Sequence, residues 1–252
     1  MALANKAAKK AIMVNKDKVW RKPPSPPAVR PRDAATLILV RNSGDQPEML
    51  MGERSAGHAF MPNRFVFPGG RVDQVDHYIK PLTGLRPEVS ARLQQSCNAS
   101  KAQALAMAAV RETFEETGLL LGKSMDAHDE TRPVIKSRSL SWQKFFDAGV
   151  VPQLDVLDYV ARAITPPSNK RRFHARFFMA DATHAKGDLR SNGELINLHW
   201  VPIRDASKLK LPAITQIIID EIDRMLSTDD REQKGGVPCY TFRYGRRILN
   251  YD

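Results

Sequence analysis

The apolar positions of the chain follow two periods, and each predicts a different kind of element. Ala34 to Val40 is a short apolar run with β-branched members, which reads as a first core strand. Asn42 to Glu48, carrying Gly44 and Pro47, reads as a turn, and Met49 to Arg54 as the hairpin partner of the first strand. Ser55 to Arg64 is a loop. Phe65-Val66-Phe67 is a third short strand that ends at Pro68-Gly69-Gly70. The period then changes. Val89, Leu93 and Cys97 recur every four residues and predict a short helix over Pro87 to Cys97. After a break at Asn98-Ala99-Ser100, Ser100 with Gln103 reads as a capping box for a long helix. That helix contains the alanine-rich stretch Ala104 to Val110 and ends at Gly118.

Further along, residues 122–136 are polar, and Ser141 to Ala148 and Val156 to Ala161 read as short helices. Ala161 to Thr165 reads as a strand edge. Arg172, His174 and Arg176 alternate with Phe173, Ala175 and Phe177, the period of a half-buried strand with one cationic face. Glu194 precedes the strand-like Leu195 to Pro202. Leu211-Pro212 opens a final helix over Ile214 to Leu226, with a partial apolar stripe. The aromatic and basic ending Tyr240 to Leu249 reads as a strand or a partner-binding arm.

Composition narrows the class. A length of 252 residues with 42% hydrophobic content supports one large domain with elaborations. The longest aliphatic run, Leu37 to Val40, is far too short to span a bilayer, and no apolar secretory segment follows the basic start. A soluble, cytoplasmic protein is expected. Cys97 and Cys239 stand alone, which argues against a disulfide framework or a structural zinc site. The net charge of +11 is uneven: residues 1–32 hold nine Lys and Arg against Asp17 alone, leaving +3 for the remainder. With Pro23-Pro24-Ser25-Pro26-Pro27, this segment reads as an extended basic arm, either a solubilising leader or a contact for RNA or an acidic membrane surface. Ala7 to Trp20 has room for a marginal helical turn or two. Outside the arm the excess charge is too small for a dedicated nucleic-acid-binding protein.

The chemistry concentrates on Arg111-Glu112-Thr113-Phe114-Glu115-Glu116-Thr117-Gly118. On a helix Glu112, Glu115 and Glu116 share one side within about a turn. Three carboxylates so close repel one another, and a hard divalent cation, Mg²⁺ or Mn²⁺, removes that penalty and brings a phosphate-bearing substrate with it. Arg111, four residues before Glu115, braces the cluster. The competing reading is a solvated acidic helix end. Two features upstream weigh against it: Phe67-Pro68-Gly69-Gly70, and Asp76 six residues after Gly70.

Together these segments resemble the Nudix hydrolases, whose signature is G-x5-E-x7-R-E-U-x-E-E-x-G-U, with U aliphatic or bulky apolar. Gly70 fills the first glycine and Arg111 to Leu119 the last nine places. Asp76 stands where the family has Glu, and Gly70 and Arg111 are 41 residues apart, an insertion of 27. The resemblance implies an α/β fold, an α/β/α sandwich with a mixed, curved sheet. It covers residues 33–226, with an insertion over 76–101, a basic arm at 1–32 and a C-terminal extension at 227–252. Coenzyme A diphosphatases of the family carry L-L-T-x-R-[SA]-x3-R-x3-G-x3-F-P-G-G ahead of the box. Arg54-Ser55 and Phe67 to Gly70 match it, while Ala59 and Asn63 replace its second Arg and its Gly. The insertion resembles the acyl-coenzyme A diphosphatase branch, which interrupts the box at the same place.

The implied activity is cleavage of a nucleoside diphosphate linked to another moiety, with coenzyme A or an acyl-coenzyme A as the candidate substrate. ADP-ribose, NADH and capped RNA are alternatives, as is a Nudix-shaped regulatory module that no longer hydrolyses. By resemblance Glu112, Glu115, Glu116 and the Gly70 carbonyl hold the metal. Glu115, Glu116, Arg111 and Glu194 are the catalytic candidates, with Glu115 or Glu194 as base and Arg111 orienting Glu115. Arg54, Arg172 and Arg176 are the candidate substrate contacts, because Arg forks match phosphate oxygens. The expected partner is a nucleotide-type small molecule. A homodimer is open, since many relatives dimerise, and nucleic acid is expected only through the arm.

Overall fold

A computed structural model of the chain describes residues 29–43, 46–57, 60–125, 139–228, 235–243 and 246–252. The basic arm through residue 28, the helical turn expected at Ala7 to Trp20 and most of the polar stretch 122–136 lie outside them.

The first strand, β1 (Arg32–Ser43), is longer than its apolar run and sits in the middle of the molecule. It pairs antiparallel with β2 (Gln46–Arg54), so the strands reach further into the expected turn than Gly44 and Pro47 imply. On its other side it runs parallel to β8 (Phe173–Asp181). Next come β7 (Asp158–Ile164), antiparallel to β8, then β11 (Pro238–Arg243), parallel to β7, and β12 (Arg246–Tyr251). At the opposite edge β10 (Leu195–Pro202) pairs with β2. Two short strands, β3 (Phe65–Val66) and β4 (Gly69–Arg71), pair with β2 and β1 to complete a nine-stranded mixed sheet. A smaller sheet joins β5 (Leu120–Ser124), β6 (Val150–Pro152) and β9 (Ala185–Lys186).

Alternate residues of β1 serve opposite faces, as the strand period requires. Ala35, Leu37 and Leu39 pack under α2 (Ala99–Thr117), while Ile38 and Val40 pack with Ile218, Ile222 and Met225 of α4 (Ala213–Thr228). Two apolar layers thus flank one sheet, the expected α/β/α sandwich. Residues 104–110 of α2 are buried on every side, because α1 (Pro87–Gln94) and α3 (Leu140–Asp147) close over its outer face. No helix among the described residues is long and apolar enough to cross a membrane.

The structure corrects the readings of Val156 to Ala161 and of the α2 cap. Val156 to Ala161 is not a helix: residues 158–161 begin β7, whose first four positions are all buried, so its apolar run carries no visible alternation. Residues 161–164, read as a strand edge, are the second half of β7, which lies inside the sheet between β8 and β11. The cap of α2 is Asn98, whose side chain accepts from the Lys101 N–H, rather than Ser100. The aromatic and basic ending, read as a strand or a partner-binding arm, supplies two strands, since β11 and β12 extend the main sheet and Arg162 pairs with Asp252. The insertion, finally, is built in. Val89 and Leu93 of α1 enter the core beneath α2, and Arg86 pairs with Asp158 at the start of β7.

Candidate active site

Helix α2 carries Arg111, Glu112, Glu115 and Glu116 on its last two turns and stops at Gly118, whose φ of 77° is the left-handed cap conformation. A Cβ there would also lie 2.8 Å from the Asp188 carbonyl. Strand β4 runs past these turns. Its glycines are paired sheet residues, Gly70 opposite Ala35 and Gly69 opposite Thr36, rather than a turn. The reason for glycine is clearance: a Cβ on Gly70 would sit 2.4 Å from the Glu112 carboxyl carbon. The Gly69 N–H donates to Glu116 Oε2 at 2.9 Å, which ties the strand to the helix across 47 residues of sequence.

Behind the carboxylates lies a buried polar node. Asp76 is 0% exposed and Arg111 2%. Arg111 Nε and Nη2 donate to the two Asp76 oxygens, each at 2.9 Å, in a bidentate pair. Nη2 also donates to the Arg71 carbonyl at 2.9 Å, and Nη1 to Glu112 Oε1 at 3.0 Å and Glu115 Oε1 at 3.1 Å. Asp76 further accepts from Trp142 Nε1 and from the Asp73 N–H, both at 2.9 Å. Arg111 is therefore a positioning residue, fixed by Asp76 from behind while it holds Glu112 and Glu115 in front. Its ionised form is stabilised by these carboxylates against its burial.

The site's electrostatics follow from burial. Glu112 is pushed up to about 7 by burial and by the neighbouring Glu115 charge, with Arg111 opposing. Glu116 is pushed up to about 8 by burial and by Glu112. Glu116 is buried and Glu112 half-buried, and with Arg111 tied to Asp76 the pair suits a divalent cation. Among the described residues no three Asp, Glu, His or Cys side chains close round one point as a ready-made cage. An open pair of carboxylates is the donor set of Mg²⁺ sites that complete their octahedron with water and substrate phosphate. We predict that Gly70→Ala, which forces Glu112 aside, lowers metal-dependent turnover by about a hundred-fold with little loss of thermal stability. Steady-state assays alongside a melting curve check this, and wild-type turnover in the variant would contradict it.

Glu194 and Arg54 join this cluster. The Glu194 carbonyl accepts from the Ser55 N–H at 3.0 Å just before β10, and its exposed carboxylate is close enough for its charge to act on both Arg54 and Glu116. Arg54 donates to the Phe60 carbonyl at 2.8 Å and sits over the Phe60 ring.

Arg172 and Arg176 do not join it. Arg176 is 1% exposed and pairs with Asp33 at 2.6 Å, and Asp33 also pairs with Lys101 near the start of α2. Lys101 precedes Glu112 by eleven residues, roughly 16 Å of helix. Arg172 donates to the Thr165 and Val29 carbonyls. The cationic face expected to be open is thus turned inward, where its charges hold neighbouring segments. His174, on the same face, is held neutral, its pKa pushed down to about 3 by burial and by Arg176 and Arg162. Sequence reasoning missed Trp142 and the Asp73 amide. No motif marks either; the one available hint was an aromatic on a short amphipathic helix.

Comparison with known proteins agrees with this geometry. The family profile described as the NUDT19 Nudix domain matches residues 31–210, more than two thirds of the chain. A Caenorhabditis elegans protein named as nudix hydrolase 7 is 24% identical over 217 residues, 82% of this chain and 65% of that protein. The Xenopus laevis acyl-coenzyme A diphosphatase NUDT19 is 33% identical over 102 residues, 32% of this chain and 27% of its own length. The chain thus spans less than two thirds of either curated relative. The crystal structure of a Nudix hydrolase from Alicyclobacillus acidocaldarius superposes with a TM-score of 0.57 at 25% identity, covering 76% of this chain and 90% of that one. The signature residues, their convergence beside β4 and the profile match lead to one assignment: the chain belongs to the Nudix hydrolase family.

Proposed function

We propose that the protein is a metal-dependent pyrophosphohydrolase that cleaves a nucleoside diphosphate linked to another moiety, with coenzyme A or an acyl-coenzyme A as substrate. The observation that carries the reaction class is the Glu112–Glu116 pair, half-buried and buried, both pKa values raised, set against a strand whose glycine leaves room for the Glu112 carboxylate. Glu112, Glu116 and the Gly70 carbonyl would hold Mg²⁺ or Mn²⁺, with Glu115 ligating directly or through water. Such an ion neutralises diphosphate charge and acidifies an attacking water.

The chain's own groups do the remainder. Arg54 pairs with diphosphate oxygens, and the Gly69 amide keeps Glu116 turned toward β4. Water adds to one phosphorus and its proton passes to Glu115 or Glu194. The bridging P–O bond breaks, and its oxygen leaves with the other phosphoryl group. The products are a nucleoside monophosphate and a phosphorylated remainder. Coenzyme A is favoured by the Arg54-Ser55 and Phe67 to Gly70 match to the coenzyme A pattern and by the named activity of the Xenopus relative.

The test is a panel of acetyl-coenzyme A, coenzyme A, ADP-ribose, NADH and capped RNA, each incubated with Mg²⁺ and with Mn²⁺. The expected product is adenosine 3′,5′-bisphosphate from the coenzyme A compounds. Cleavage of another panel member alone would overturn the substrate, and no turnover with either metal would overturn the reaction.

A further inference from the structure

A cleft of about 470 Å³ opens where β1 begins, beside the end of β4 and the first turn of α2. Four cationic side chains line it, Arg30, Arg32, Arg71 and Lys101, against two acids, Asp33 and Asp73. Asp33 is already committed to Arg176 at 2.6 Å and Lys101 at 3.0 Å. Among the described residues no ion pair engages Arg30, Arg32 or Arg71. A solvated cationic rim would show the same charges without the concavity. Here the walls are also braced from behind, since Arg172 donates to the Val29 carbonyl and its own carbonyl accepts from the Arg32 N–H. The strand β8 arginines, which do not reach the carboxylates, hold the segment that presents Arg30 and Arg32.

The cleft adjoins the reaction site. Arg71 directly follows Gly70, about 3.8 Å away along the chain. The Arg71 carbonyl accepts from Arg111, and the charge of Asp73 acts on Glu112. An anion in the cleft therefore sits within one nucleotide's reach of a diphosphate held by α2. A phosphate monoester is close to dianionic at neutral pH and offers oxygens that match two guanidinium forks.

We propose that this cleft is a second anion subsite, which takes a phosphate monoester carried on the nucleoside of the substrate, with Arg32 and Arg71 as its specificity-determining contacts. The proposal rests on the pyrophosphohydrolase reading and deepens it: the enzyme selects nucleoside diphosphates that bear an additional phosphate on the ribose.

The test compares coenzyme A with 3′-dephospho-coenzyme A in wild type, in Arg71→Ala and in Arg32→Ala. The quantity read is the ratio of kcat/KM for the two substrates. It should favour coenzyme A at least about ten-fold in wild type and fall by about ten-fold in each variant, the size of one charge-assisted contact. A wild-type ratio near one, or a ratio that neither variant changes, would overturn the subsite. Calorimetry supplies an arm that needs no turnover. Adenosine 3′,5′-bisphosphate should bind wild type about ten-fold more tightly than 5′-AMP, and the difference should shrink in both variants. Inorganic phosphate binding as tightly as the bisphosphate would make the cleft an independent anion site and overturn the proposal. Should wild type cleave no coenzyme A, the proposed substrate falls while the bisphosphate arm still decides the cleft.

Discussion

Glu116→Gln should lower kcat/KM for the diphosphate substrate by about a thousand-fold, roughly 4 kcal/mol of transition-state stabilisation. Gln keeps the shape and an oxygen that can still accept the Gly69 N–H, so the fold is preserved while the negative charge proposed to face the metal is lost. The metal-free protein gives a second readout with the opposite sign. Burial raises Glu112 to about 7 and Glu116 to about 8, so the folded state holds protons that the unfolded state releases. The pair's contribution to stability is fully present below the ordinary carboxylate value of 4.5 and is lost as pH rises through 7 and 8. Without metal, Glu116→Gln should melt higher than wild type at alkaline pH, by roughly 2–4 °C for each kcal/mol relieved, and the gap should close in acid. A variant that melts lower at alkaline pH would show that the pair is not held under mutual repulsion.

Asp76→Ala should be the most destabilising single change at the site. It leaves the Arg111 guanidinium buried without its bidentate partner, at a cost of about 3–5 kcal/mol. It also strips the acceptor from Trp142 Nε1 and the Asp73 N–H. A fall in melting temperature on the order of 10 °C is expected. Activity should fall with it, because Arg111 is what fixes Glu112 and Glu115. Trp142→Phe removes one donor and leaves the ion pair, so it should cost about 1–2 kcal/mol. If scanning calorimetry placed Asp76→Ala within about 1 kcal/mol of wild type, the node would not be organising the helix as described.

These two positions show what could be read in the chain beforehand. The carboxylates and the closing Gly118 are local, because helix periodicity and cap chemistry place them before any tertiary contact exists, whereas Gly70 reaches them only once β4 packs beside α2. Asp76 is marked only by the family signature, as an acid six residues after Gly70. Its depth is not, since the Trp142 that completes its hydrogen bonding lies 66 residues away on another helix. The misread strand has a physical cause. Residues 158–161 are buried on both faces of an interior strand, so hydrophobic period carries no information there. Arg172 and Arg176 show the converse failure. Alternation correctly gave them one face of a strand, but which neighbour covers that face depends on α2 and on the segment before β1. Neither is visible in a six-residue window.

On the proposed mechanism Glu112 and Glu116 form a divalent-cation site of the chain's own making. Calorimetric titration of Mn²⁺ into metal-free protein near pH 7.5, in wild type and in Glu112→Gln/Glu116→Gln, tests it most directly. Wild type should bind saturably with proton release, because the pair must shed protons to ligate, and the double variant should show no measurable binding. Equal Mn²⁺ binding by both proteins would contradict it.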